Sequence, residues 1–146
     1  NLHTASPLHD IGKVGVPDSI LLKPGKLNRD EYERMKNHTI WGWAILNQAD
    51  LELGEQSYLT LAASIALHHH EHYDGSGYPE GRRGENILLA ARIIHLADAY
   101  DAMRSARSYR NTPLTKEEAV EEIRKNTGTQ FDPKVVDAFF KIIDKF

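Results

Sequence analysis

Three helix-start signatures constrain this chain more than any other feature. Asn28 is followed three residues later by Glu31, and Thr115 by Glu118, each pair matching a capping box in which the two residues satisfy each other's backbone donors. Asp132-Pro133 places a capping carboxylate directly before a proline that lacks the N–H a first helical turn leaves unpaired. Helical periodicity fills the space between these starts. The first signature predicts a helix from Asn28 to about Asn47, followed by an acidic loop over 50–56. Leu59, Ala62, Ala63, Ala66 and Leu67 share a face of a helix over 57–70. Leu88, Ala91, Ile94, Ala97, Ala102 and Met103 support another over 87–105. A short helix ends near the loop 12–17, and the last helix runs from Pro133 almost to Phe146. The segment 74–84 holds four glycines and a proline and reads as a loop long enough to line a site. The fold class is therefore all-α.

At 146 residues the chain is long enough for one domain with its own core, and 40% hydrophobic with 27% charged residues is ordinary for a globular protein. There is no cysteine, so any metal is held by nitrogen and oxygen. The formal charge of -3 argues against DNA as a partner. No apolar run approaches a membrane span and no signal peptide is visible, which predicts a cytoplasmic location.

Histidines number eight, three of them consecutive at 68–70. His9-Asp10 opens an ordered series that continues with His38, His69-His70 and Asp98. Imidazoles and carboxylates together bind divalent transition metals, and a bound metal activates water at neutral pH. Lys13 follows Asp10 by three residues, and Tyr78 sits in the turn Gly77-Tyr78-Pro79.

The blocks His9 to Asp18, Leu21 to Leu27, Met35 to His38, His69 to Pro79, Ala97 to Met103, Arg107 to Arg110 and Phe131 to Pro133 occur in an order that resembles the HD-GYP family, a branch of the HD metal-dependent phosphohydrolases. The resemblance implies an HD-domain helical bundle with a C-terminal helical extension over residues 1–146. It implies a cyclic di-GMP phosphodiesterase of bacterial second-messenger signalling, yielding pGpG and GMP. It also implies two or three divalent metals, iron or manganese before zinc or nickel. One metal takes His9, Asp10, Asp98 and a histidine from a helix upstream; the other takes Asp10, His38, His69 and His70. Asp10 and Lys13 are the expected catalytic residues. Lys13, Arg107 and Arg110 face phosphates, Tyr78 faces guanine or phosphate, and Asp101, one turn after Asp98, orients a metal ligand. His68 and His72 are expected outside the ligand set, His95 on the helix surface, and Arg104 at a solvated helix end.

The chain starts eight residues before His9, so the upstream helix is expected in a longer protein, with a receiver or other sensory domain of two-component signalling before it. Diguanylate cyclases are further expected partners, and an uncovered apolar face predicts a homodimer. Two alternatives stand beside the enzyme: a cyclic di-GMP sensor or interaction module with an impaired site, and an HD phosphohydrolase for another nucleotide. The Gly-Tyr-Pro turn argues against the last.

Overall fold

A computed structural model describes residues 2–54, 57–106 and 112–145. The helices in chain order are α1 (Leu2–Ala5), α2 (Asp18–Leu21), α3 (Arg29–Leu53), α4 (Tyr58–His68), α5 (Leu89–Arg104), α6 (Lys116–Lys125) and α7 (Pro133–Phe140), and among the described residues there is no strand. Short 3-10 turns join them, one of which, Ile11–Gly15, follows the His9-Asp10 pair.

Both capping boxes form. Asn28 accepts from the Glu31 N–H at 2.9 Å while the Glu31 carboxylate accepts from Asn28 N–H at 2.8 Å, and Thr115 and Glu118 repeat the exchange. Asp132 caps α7 through the Lys134 N–H. Two boundaries differ from the sequence expectation. α3 continues through the segment expected to be an acidic loop and stops only where Gly54 turns left-handed, at φ 69°. Asp50 sits inside that helix and accepts from the Ser57 and Thr60 hydroxyls, both at 2.6 Å, tying the end of α3 to the start of α4. At the other end, α4 stops at His68, two residues early, so His69 and His70 leave the helix. α7 likewise ends at Phe140, short of the expected terminus.

Two apolar clusters share α5. Leu46 of α3, Leu59, Ala62, Ile65 and Ala66 of α4, and Ala5 meet Ile94 of α5. Leu96 of α5 meets Ile123, Phe131, Val135 and Val136 from α6, α7 and the turn between them. Arg92 of α5 pairs with the buried Asp132 at the start of α7 while its Nε donates to the Ile87 carbonyl.

The His9-Asp10 turn docks on α3 through glycine. A Cβ on Gly12 would lie 1.9 Å from the His38 carbonyl oxygen and 2.4 Å from Gly42 N. No side chain fits there, and the approach carries Asp10 toward His38. Gly12→Ala is therefore expected to cost about 2–3 kcal/mol or more by overpacking. Urea unfolding should show a lower midpoint with an unchanged slope, and a midpoint equal to the parent's would contradict this account of the docking.

Candidate metal centre

Four side chains from three parts of the chain converge. One ligand atom each of Asp10, His38, His69 and His70 lies within 4.8 Å of every other. Asp10 Oδ1 is 3.4 Å from His38 Nε2 and 3.6 Å from His69 Nε2, and those two nitrogens are 3.4 Å apart. His38 and His69 are fully buried, with His70 and Asp10 at the rim. His9 adds its Nε2 at 3.4 Å from Asp10 Oδ2 and 3.8 Å from Asp98 Oδ1.

The backs of these rings explain their direction. His9 Nδ1 donates to Ser6 O at 2.8 Å, His38 Nδ1 to Met35 O at 2.7 Å, and His69 Nδ1 to Ala66 O at 3.0 Å and Ile65 O at 3.2 Å. A carbonyl only accepts, so Nδ1 carries the proton in each neutral ring and Nε2 presents a lone pair. The cluster therefore aims lone pairs and a carboxylate at one point, an arrangement that repels itself unless a proton or a cation lies between them. Two of the atoms facing inward, His9 Nε2 and Asp10 Oδ1, are buried without a hydrogen-bond partner among the described residues. The donor set of nitrogen and oxygen fits a divalent transition metal, and a ring nitrogen bonded from behind to a carbonyl is how metal-ligating histidines are ordinarily held.

For His38 and His70 the electrostatics agree with that fit. Burial pushes His38 and His70 below the ordinary histidine value, His70 furthest because His69 and His38 crowd it, so both rings stay neutral and available as ligands. Burial opposes the charge of Asp10, but a proton on the facing edge of His69, the place a bound cation would take, and the Lys13 ammonium outweigh it and hold the carboxyl well below the usual range. Asp98 is lowered by its contact with His9. For His9 itself, burial acts downward, but Asp98, the Ser6 carbonyl and the Asp10 charge more than offset it, and the ring is raised.

Lys13 Nζ lies 2.5 Å from Asp10 Oδ2, on the carboxylate edge away from His38. Tyr78 stacks on His70 with centroids 4.9 Å apart and planes at 24°, so one face of its ring is taken by the cluster. Burial, and then Tyr32, push its phenol upward, keeping it neutral. Arg107 and Arg110 lie outside the described residues.

One expectation needs correction. His95 is buried, not on the helix surface: its Nδ1 donates to His69 O at 2.7 Å, its Nε2 has no hydrogen-bond partner among the described residues, and burial pushes it down to about 4. It braces the backbone between the two histidines. Asp101 is exposed, and the groups seen behind the rings among the described residues are backbone carbonyls and His95. His68 turns away, from Ser64 O to Glu80 Oε2, His72 bonds the Ser76 hydroxyl, and Arg104 donates to Leu114 O.

The sequence reading also missed Glu71. Its carboxylate is almost fully buried and accepts from the backbone N–H groups of Glu80 at 2.7 Å and Arg82 at 2.9 Å. It thus folds the glycine-rich loop back on itself. Tyr78 N–H bonds His70 O at 3.1 Å, and a Cβ on Gly77 would lie 2.4 Å from that same oxygen. The only sequence signal was position, a carboxylate directly after two ligand-type histidines. Glu71→Ala leaves both N–H groups unpaired, with an expected loss of about 2–4 kcal/mol. Amide exchange at 80 and 82 should accelerate, with Glu71→Gln intermediate. Parent-like protection of both amides in the alanine variant would remove Glu71 from this role.

Comparison with known proteins places this geometry in context. Residues 1–135 match the HD-domain family. A probable cyclic di-GMP phosphodiesterase of Vibrio cholerae is 50% identical over 92% of this chain and 31% of its own length. A cyclic di-GMP phosphodiesterase of Thermotoga maritima is 49% identical over 94% of the chain and 36% of its own. A 3'3'-cGAMP-specific phosphodiesterase of V. cholerae is 43% identical over 99% of the chain and 27% of its own. The chain thus spans about a third of the length of these relatives. The crystal structure of a cyclic GMP-AMP-specific phosphodiesterase of V. cholerae superposes with a TM-score of 0.58 at 22% identity, covering 98% of this chain and 37% of that one, which shows the shared fold.

Proposed function

The chain belongs to the HD-domain family, and from that premise we propose that it is the catalytic part of a metal-dependent phosphodiesterase acting on cyclic di-GMP. The carrying observation is the convergence of the His38 and His69 lone pairs on the unpartnered Oδ1 of Asp10. Relatives at 48–50% identity are named for cyclic di-GMP and those at 40–43% include enzymes named for 3'3'-cGAMP, so cyclic di-GMP is the first substrate to test.

In this reading His38, His69, His70 and Asp10 hold one divalent cation, and His9, Asp10 and Asp98 contribute to a second. The cations, iron or manganese before zinc or nickel, supply a polarised phosphoryl oxygen and water acidified to react at neutral pH. The protein supplies position and charge. Asp10 serves both sites because its two oxygens face different partners, Oδ1 the His38 and His69 rings and Oδ2 His9 and Lys13. Lys13 brings a positive charge to the edge of the cluster, where negative charge grows on the phosphate as the 3'-5' bond breaks. The neutral Tyr78 walls the His70 side, and Arg107 and Arg110 take the other phosphate. Products are pGpG and, after a second cut, GMP.

The share of the relatives' length outside the match leaves room for a regulatory domain, and a relative 45% identical, from Xanthomonas campestris, is named a response regulator. A receiver is therefore the proposed regulator. Among the described residues no helix is long and apolar enough to cross a membrane.

The roles of Asp10 and Lys13 separate by experiment. In the full-length gene product loaded with manganese or, anaerobically, with iron, Asp10→Ala should lose metal and turnover together. Lys13→Ala should keep its metal and lose about 10²–10³-fold in pGpG release. Full metal occupancy in the Asp10 variant, or parent-like turnover in the Lys13 variant, would overturn these assignments.

A further inference from the structure

Tyr32 and Lys36 stand one turn apart on α3 and reach the same place on a different segment. Tyr32 meets the Tyr78 ring edge-on, with centroids 6.3 Å apart and planes at 81°. Lys36 Nζ sits 5.0 Å from the Tyr32 centroid and 5.4 Å from that of Tyr78. Since Tyr78 stacks on His70, a continuous line of rings runs from the metal cluster out to an ammonium and an exposed phenol. A helix-surface pair made for local stability would need no third ring from the loop after α4.

The ammonium keeps capacity for a ligand. It pairs with Glu33 at 2.8 Å, but that carboxylate is 59% exposed, and such pairs hold weakly in water. One contact also uses one of three N–H donors. Beside it, Tyr32 is 46% exposed, and the Lys36 ammonium over its ring sits on a flexible four-carbon stem that can move to the rim as a base takes that face.

The chemistry of the pair is selective. An ammonium donates and cannot accept. The guanine edge offers O6 and N7, two acceptors side by side, whereas adenine offers N7 next to an amino group that itself donates. We propose that Tyr32 and Lys36 form a guanine-selective base subsite adjoining the metal cluster, with Tyr32 carrying the base and Lys36 reading its O6/N7 edge. The inference rests on the cyclic-dinucleotide reading above and adds to it a discrimination between bases. It accommodates both cyclic di-GMP and 3'3'-cGAMP, each of which has a guanine to place here, and disfavours cyclic di-AMP, which has none.

The test uses the manganese-loaded full-length gene product and its Lys36→Met, Lys36→Arg and Tyr32→Ala variants, with metal content measured for each. The readout is the ratio of kcat/KM for cyclic di-GMP over cyclic di-AMP. Lys36→Met should lower this ratio by about 10- to 100-fold, mainly through KM for cyclic di-GMP. Lys36→Arg, which also donates to O6 and N7, should restore it. Tyr32→Ala should weaken both substrates together by removing the stacking surface. An unchanged ratio in Lys36→Met, or equal losses on both substrates there, would overturn the subsite. Hydrolysis of bis(p-nitrophenyl) phosphate by the parent protein checks the phosphodiesterase reading separately. Should the parent cleave no phosphodiester, that reading falls, and affinities of the same variants for GMP and AMP decide the subsite: a guanine preference lost in Lys36→Met upholds it, and no preference in the parent removes it.

Discussion

The structure depends on a hydrogen bond made behind each ring. His9, His38 and His69 each give the Nδ1 proton to a carbonyl three or four residues earlier, so the helical turn that carries the histidine also fixes its tautomer and orientation. With that proton committed, the Nε2 lone pairs have nowhere to point but inward at Asp10. An apolar core would not tolerate three such atoms and a carboxylate in mutual contact. The donor set fits a divalent cation, and burial favours that fit by keeping the His38 and His70 rings neutral.

The remaining architecture brings these turns into register. Gly12 lets the His9-Asp10 turn lie against the backbone of α3 at a distance no side chain permits. The early stop of α4 frees His69 and His70 to turn toward Asp10, and His95 on α5 grips the carbonyl between them. Glu71 then folds the loop that returns Tyr78 to His70. α5 belongs to both apolar clusters and also carries His95 and Asp98, so the helix that unites the core is the one that closes the site.

Much of this was legible in the sequence because it rests on local chemistry. Capping boxes at Asn28 and Thr115, and the Asp132-Pro133 start, act within one turn, and the helices begin where they indicate. The ordered histidines and aspartates named the residues that the fold gathers. What escaped was decided by tertiary contact. Asp50 reads as a loop residue by composition, yet the Ser57 and Thr60 hydroxyls satisfy its carboxylate inside a helix. His95 and Asp101 both lie one turn from Asp98, and spacing alone does not distinguish the one that is buried from the one that faces water. Glu71 and the Tyr32–Lys36 pair acquire meaning only when the glycine-rich loop closes over them.

The central claim, that the cluster around Asp10 is a cation site built by its own backbone, is tested most directly by anomalous diffraction from crystals of manganese-loaded protein. The account predicts an anomalous peak bonded to the Nε2 atoms of His38 and His69, a ring nitrogen of His70 and a carboxylate oxygen of Asp10, with nitrogen distances of about 2.0–2.2 Å. The Nδ1–carbonyl bonds behind His38 and His69 should be unchanged. Metal-loaded crystals in which the peak lies elsewhere, or in which these rings turn away from Asp10, would contradict it.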